Sequence, residues 1–246
     1  MKRIEREHKG FNRVTGAPIS LIVKHNKSNR KMGGLFHFIL EIVILSLEKA
    51  SKGKGIKFFD FQKSKVCDDS CAHLKTCYVP AISLVSDLKQ RHKAPLNLPP
   101  SFIIRVSKFG DFSILDDNLR TIVLDLIKLS SDRLCYTNVW RGDDEPHFLY
   151  SPLFLASVSS REDLIKATSR GYRVYASYSD GAKDMKELGL KFSSCLTLGD
   201  GLDMMYGSKV CSLCEHKCNG LQNIWSMDKE LVMKIRESKD ILRLKK

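Results

Sequence analysis

The sequence lacks an apolar run long enough to span a bilayer. Its longest, Leu35 to Leu47, is interrupted by His37 and Glu41 and falls short of the ~20 residues a crossing requires. The opening Met1 to His8 carries acids and has neither the apolar stretch nor the small-residue cleavage site of a secretory signal, so a cytoplasmic protein with no membrane partner is expected. No Gly-x4-Gly-Lys-Ser/Thr loop is present, since Lys52-Gly-Lys-Gly does not fit it, and a P-loop ATPase is disfavoured. Helix-turn-helix, RNA-recognition and two-Cys two-His finger patterns, internal repeats and low-complexity tracts are also absent. Acids are scarce: 28 Asp and Glu stand against 41 Lys and Arg in 246 residues, a formal charge of +13.

That charge is uneven. Residues 1 to 33 hold nine Lys/Arg against two acids, and residues 229 to 246 hold seven against three, so the ends supply +11 of the +13. Basic ends attract phosphate backbones at long range, which makes nucleic acid a partner to consider; they also serve solubility. Hydrophobic residues make up 43% of the chain, enough for a substantial core and against overall disorder.

Eight cysteines in a reducing compartment suggest metal binding or catalysis more than disulfides. Seven are grouped. Cys67, Cys71 and Cys77 form one cluster, and Cys195, Cys211, Cys214 and Cys218 another; Cys135 stands alone in an apolar stretch and reads as a small buried residue. Three thiolates could hold three irons of a [4Fe-4S] cluster and leave the fourth iron open, or with His73 could close a Cys3His zinc site. The second cluster, near His216, offers four thiolates to a tetrahedral zinc or a fully ligated iron–sulfur cluster. The run Asp143-Asp144-Glu145 near His147 reads as an exposed acidic loop before it reads as a divalent-metal nuclease site.

Periodicity gives an irregular basic arm over 1–18, a strand over 19–23, a buried helix from Leu35 to about Ala50, and a strand over 56–61. A helix over 81–91 and a proline-rich connection at 94–100 follow. Beyond these, strands at 101–107, 133–139, 153–158 and 171–177 alternate with helices at 115–129, 161–170 and 182–188. The expected fold is α/β: a mainly parallel sheet with crossover helices, open or curled toward a partial (β/α) barrel. Residues 19–190 form its core, carrying the Cys-rich loop 67–77. A Cys-rich segment at 191–222 and a basic amphipathic helix at 223–246 follow. Sites in such sheets collect at strand carboxyl ends. There lie Gly110-Asp111, Thr137-Asn138, Ser157 with Ser159, and Ser177 with Ser179-Asp180.

Val23-Lys24-His25-Asn26-Lys27-Ser28, the Cys-rich loop, Arg105 to Phe112, Tyr136-Thr137-Asn138, Ala156-Ser157-Val158 and the final Cys-x2-Cys, in that order, resemble the phage "gene product 88" domain family over residues 19 to 220. The resemblance implies a protein of a bacteriophage or other mobile element and supplies little mechanism. More distantly, the order of Cys67, Cys71 and Cys77, then Gly110-Asp111, Thr137-Asn138 and Cys195 to Cys218 resembles radical S-adenosylmethionine enzymes. The cysteine spacing differs, and neither a Gly-Glu-Pro turn nor a glycine-rich cofactor strand is present. That resemblance implies a site-differentiated cluster on Cys67, Cys71 and Cys77, with Gly110, Asp111, Thr137 and Asn138 around S-adenosylmethionine. A non-enzymatic alternative is a replication or regulatory accessory protein that binds nucleic acid and uses zinc only to brace loops.

Overall fold

The computed structural model of the chain describes residues 2–26, 38–48, 61–62, 65–67, 93–137, 139–141, 152–176, 178, 180–194 and 223–225. The chain divides into two compact units, Met1–Lys27 with His37–Asp144, and Ser28–Phe36 with Glu145–Lys246.

The first unit is built on β4, Ile39–Ser46, in which every residue is buried. A buried helix is the sequence expectation here, and the structure replaces it with a strand. A continuous apolar run has no period to distinguish the two, but Ile39, Ile42, Val43 and Ile44 are β-branched and favour a pleated strand flanked on both sides. β3, Pro18–His25, runs antiparallel to β4, and β6, Ile103–Phe109, runs parallel to it on the other side. β7, Asp132–Thr137, pairs parallel with β6.

The expected irregular arm is also corrected. Lys2–Ile4 forms β1, paired antiparallel with β5, Leu96–Leu98, inside the proline-rich connection. Glu7–Phe11 forms β2, antiparallel to β3. β2 ends the strand order, and such a strand needs few apolar residues, which hides it from periodicity.

Helix α1, Asp117–Leu129, crosses from β6 to β7 and packs on β2 and β6. Its Leu119, Val123, Leu126 and Ile127 are buried, one apolar stripe at helical spacing. The Asp116 carboxylate caps it, accepting from the Leu119 N–H at 2.9 Å, and also accepts from the Phe11 N–H at 2.6 Å, so one side chain ties the helix start to β2.

The second unit has β8, Leu155–Val158, beside β9, Arg173–Ala176, then β11, Asn223–Trp225, and β10, Phe192–Ser194, all parallel. Helix α2, Arg161–Ser169, links β8 to β9 and buries Leu164 and Ala167; helix α3, Gly181–Glu187, follows β9 and buries Met185. Ser160 caps α2 by accepting from the Asp163 N–H.

The architecture is thus α/β, with mixed, mostly parallel pairing. It is open: the strand order does not close into a barrel. The alternating strands and helices from residue 101 onward fall within a few residues of their expected places. Phe61 is helical, not the end of a strand. The rest of the expected 56–61 strand, the 81–91 helix, the Cys-rich segment from 195 to 222 and residues 226–246 of the expected basic helix lie outside the described residues, while Asn223–Trp225, expected to begin that helix, form strand β11 instead.

Candidate functional site

Because β4, β6 and β7 are parallel, their carboxyl ends share one edge of the first unit. At the end of β6 the chain turns sharply. Gly110 has φ +78°, and a Cβ there would stand 2.7 Å from the Ile44 Cβ and 3.2 Å from the Val66 carbonyl oxygen, so this turn requires glycine. Asp111 follows, buried. Its carboxylate accepts from the Ser113 N–H at 3.1 Å, capping the short 3-10 turn Phe112–Ile114. Both its oxygens lie 3.1 Å from the Thr137 hydroxyl at the end of β7. Gly110, Asp111 and Thr137, which the sequence groups at strand carboxyl ends, meet here through the Asp111–Thr137 hydrogen bonds.

Cys67 reaches the same edge. The Asp111 N–H donates to the Val66 carbonyl at 3.0 Å, one residue before the half-buried Cys67. Neighbouring contacts hold this segment. Asn12 Nδ2 donates to the Lys65 carbonyl at 2.9 Å, and the Gln62 side chain accepts from the Ser46 N–H at 2.8 Å while donating to the Ser46 carbonyl at 3.3 Å. Gln62 therefore satisfies the end of β4 as a further backbone segment would.

Cys71, Cys77, Cys195, Cys211, Cys214, Cys218, Asn138, His73 and His216 lie outside the described residues. So does the acidic run with His147. Among the described residues, no group of three or more His, Cys, Asp or Glu is placed to hold a metal ion. Cys135, set aside as a packing residue, is 1% exposed in β7, and burial pushes its thiol up to about 12. At that value it remains a protonated, inert thiol at neutral pH.

A second constellation was not anticipated from the sequence. Glu41, read there only as an interruption of an apolar run, is fully buried in β4. Lys24 and Arg105 sit opposite it on β3 and β6, with Lys24 Nζ and Arg105 Nη1 each 3.6 Å from its carboxylate; Lys108 Nζ lies at 3.4 Å. Burial alone would raise the Glu41 carboxyl. Lys108 and Arg105, a hydrogen bond from Asn26 and the charge of Lys24 outweigh it and hold the group below its ordinary value.

Lys108 arrives there through a backbone irregularity. In an unbroken strand residues 105 and 108 face opposite sides. Here the register slips between Glu41, opposite Arg105, and Val43, opposite Phe109. Ser107 takes φ +56°, rare for a residue with a side chain, and its hydroxyl accepts from the Phe112 N–H at 3.1 Å. A bulge of this kind redirects a side chain, here Lys108 toward Glu41. The signal for this cluster was one acid inside an apolar run, with cations on two other short strands; finding it required the register.

In the second unit the polar residues at strand ends brace helices. Ser159 donates through both its hydroxyl and N–H to the Asp163 carboxylate, at 3.0 and 3.2 Å. Tyr178 donates to Asp184 at 2.9 Å, and Arg161 pairs with Asp184 at 2.7 Å, joining α2 to α3. Ser157 is buried at the end of β8; Ser177 and Ser179 lie outside the described residues.

No family model, curated protein or solved structure matches the chain. Among the described residues, no helix is long and apolar enough to cross a membrane.

Proposed function

We propose that the chain is a phage- or mobile-element-type metalloprotein whose thiolate centre, an iron–sulfur cluster or zinc, is held by Cys67, Cys71 and Cys77 at the carboxyl edge of β4, β6 and β7. The observation that carries this reading is the Asp111 N–H bond to the Val66 carbonyl, which ties the chain one residue before Cys67 to the backbone of the residue that Thr137 holds. The donor chemistry fits: Cys67 is half-buried on a segment fixed by several hydrogen bonds, as a preorganised ligand should be. Cys195, Cys211, Cys214 and Cys218 form a second thiolate set.

An iron–sulfur cluster would supply one-electron chemistry, whereas zinc would be structural. In the enzyme form, Gly110 makes the tight turn that seats Asp111 at this edge, and Asp111, fixed by Thr137, presents a carboxylate. An amine-bearing cofactor such as S-adenosylmethionine suits that carboxylate, with Asn138 next in sequence. Replacing Cys67 by Ser in protein purified without oxygen tests the reading. Metal content should fall by about one centre per chain while Cys135→Ser leaves it unchanged; equal loss in both variants would overturn it.

The basic ends support a second, non-enzymatic reading, in which the protein binds nucleic acid and metals only brace loops. Lys2, Arg3, Lys9 and Arg13 are exposed on or beside β1 and β2, where an ordered scaffold would present them to phosphates. Retention on DNA that weakens steeply as salt rises would favour it. Full metal occupancy without DNA retention would count against it.

A further inference from the structure

Among the described residues, the two most exposed large apolar side chains belong to one hairpin end: Phe11, 59% exposed, and Val14, 67% exposed. Pro18, which faces Phe11 across the β2–β3 ladder, is exposed as well. Single exposed apolar residues are ordinary, but folding alone does not call for three of them gathered at one turn. The turn is firmly made. The Asn12 N–H donates to the Ala17 carbonyl at 2.8 Å, the Gly16 N–H donates to the Asn12 carbonyl at 2.7 Å, and the Asn12 side-chain oxygen accepts from the Val14 N–H at 2.9 Å. Phe11 is therefore displayed on fixed backbone, and little ordering entropy is lost when a partner packs on it.

The backbone limits the kind of contact that remains. Asp116 holds both polar groups of Phe11, its carboxylate accepting from the Phe11 N–H at 2.6 Å and its N–H donating to the Phe11 carbonyl at 3.2 Å. A strand from a second chain cannot pair there, so the aromatic ring is what Phe11 offers a partner. Lys9 lies on the same face of β2, since Gly10 between them turns its missing Cβ toward Asp116 and Leu119. Lys9 is exposed, as are Lys2 and Arg3 on β1, and none of the three is held in an ion pair among the described residues. Arg13 is different: its Nε–H already donates to the Ser113 carbonyl at 2.7 Å.

An exposed ring beside cations matches a partner that carries both flat apolar surface and negative charge. Single-stranded nucleic acid has both, a π-face on every base and a phosphate at every link. A duplex keeps its bases stacked inside, and its major groove admits a helix or a two-stranded ribbon. Here β3 is mostly buried between β2 and β4, so the hairpin cannot enter a groove as a ribbon. An anionic membrane surface fits less well, because interfacial binding scales with buried apolar area and this turn offers only Phe11, Val14 and Pro18.

We propose that the β2 edge binds single-stranded nucleic acid, with Phe11 as a stacking platform for a base and Lys9 as a phosphate contact. This site rests on the nucleic-acid reading of the basic ends and adds to it the state of the ligand, unpaired bases, and the residue that senses it. Lys2 and Arg3 add attraction without selecting.

The test is binding of the full-length protein to a fluorescein-labelled oligothymidylate of about 16 nucleotides, followed by anisotropy over a series of salt concentrations, with unlabelled duplex of equal length as competitor. The wild type should bind the single strand, and the duplex should compete severalfold less well. Phe11→Ala should weaken single-strand binding about tenfold or more without changing the salt slope, because stacking releases no counterions. Lys9→Gln should lower that slope by about 0.7, one phosphate contact on a single strand. Phe11→Trp should retain binding, and the oligonucleotide should quench its fluorescence beyond any change in the wild type, whose tryptophans are Trp140 and Trp225. Ile165→Ala, a 46% exposed apolar control on α2, leaves binding unchanged. Thermal melts check that the variants fold, and the fluorescence of Phe11→Trp carries the test if Phe11→Ala does not fold.

Salt-dependent binding that is equal in Phe11→Ala and the wild type, with no added quenching in Phe11→Trp, would leave the basic-end reading standing and overturn the stacking site. No binding of oligothymidylate, oligouridylate or duplex at low salt would overturn both. Binding to phosphatidylserine–phosphatidylcholine vesicles that is lost in Phe11→Ala, with oligonucleotide affinity unchanged, would assign the turn to a membrane surface and overturn the stacking site too.

Discussion

Glu41 shows what one buried charge does in this fold. Its carboxyl is held below its ordinary value by Lys108, Arg105, Asn26 and Lys24 against the opposing effect of burial. A folded-state pKa below the unfolded one favours folding in the ionised form. That contribution is fully present above the unfolded value of about 4.3 and is lost as pH falls through the depressed folded value. Glu41→Gln should therefore destabilise the protein at pH 7 by about 3 kcal/mol. The deficit relative to wild type should shrink as urea unfolding is repeated at progressively lower acidic pH; a deficit independent of pH would remove Glu41 from this role. Cys135 stands at the opposite extreme. With its thiol pushed up to about 12 and 1% exposed, it should resist iodoacetamide in the native state and become reactive only on unfolding.

Two glycines are where elements depend on a missing side chain. At Gly10 a Cβ would fall on the Asp116 carboxylate that caps α1 and 2.8 Å from Leu119 Cδ1. Gly10→Ala should thus push α1 off β2 and destabilise by about 1–3 kcal/mol, as overpacking does. Gly110→Ala combines positive φ with the contact to Ile44 Cβ, and should cost about 1–3 kcal/mol in strain alone while displacing the Asp111–Thr137 pair. Thermal melts of both against a Gly189→Ala control check these expectations. Gly189 also has positive φ but nothing within 4 Å, so it isolates the strain.

The same scale explains what could be read from sequence. Half-buried elements with a clear period, such as α1, were legible. β4 was not, because burial on both faces removes the period that separates helix from strand. β1 and β2 were not, because they are short and polar. Asp111 and Thr137 were legible as strand-end residues, whereas the Glu41 cluster is made by register across three strands and by the slip at Ser107.

Taken as a whole molecule, the protein combines an open α/β scaffold, clustered cysteines and basic ends. Part of the N-terminal charge lies on ordered strands and not on an irregular arm, which makes the spacing of Lys2, Arg3 and Lys9 fixed. If nucleic acid binds there, Lys9→Gln should lower the salt dependence of DNA retention by about one unit of slope. The proposed function rests on the thiolate centre at the carboxyl edge. Its most direct test is quantitation of iron, acid-labile sulfide and zinc, with an absorption spectrum, on wild-type protein purified without oxygen. Iron and sulfide at about four each, or about eight each, per chain are expected for the cluster form, and about one or two zinc ions for the structural form. A protein that carries neither metal and takes up neither on reconstitution would contradict the account.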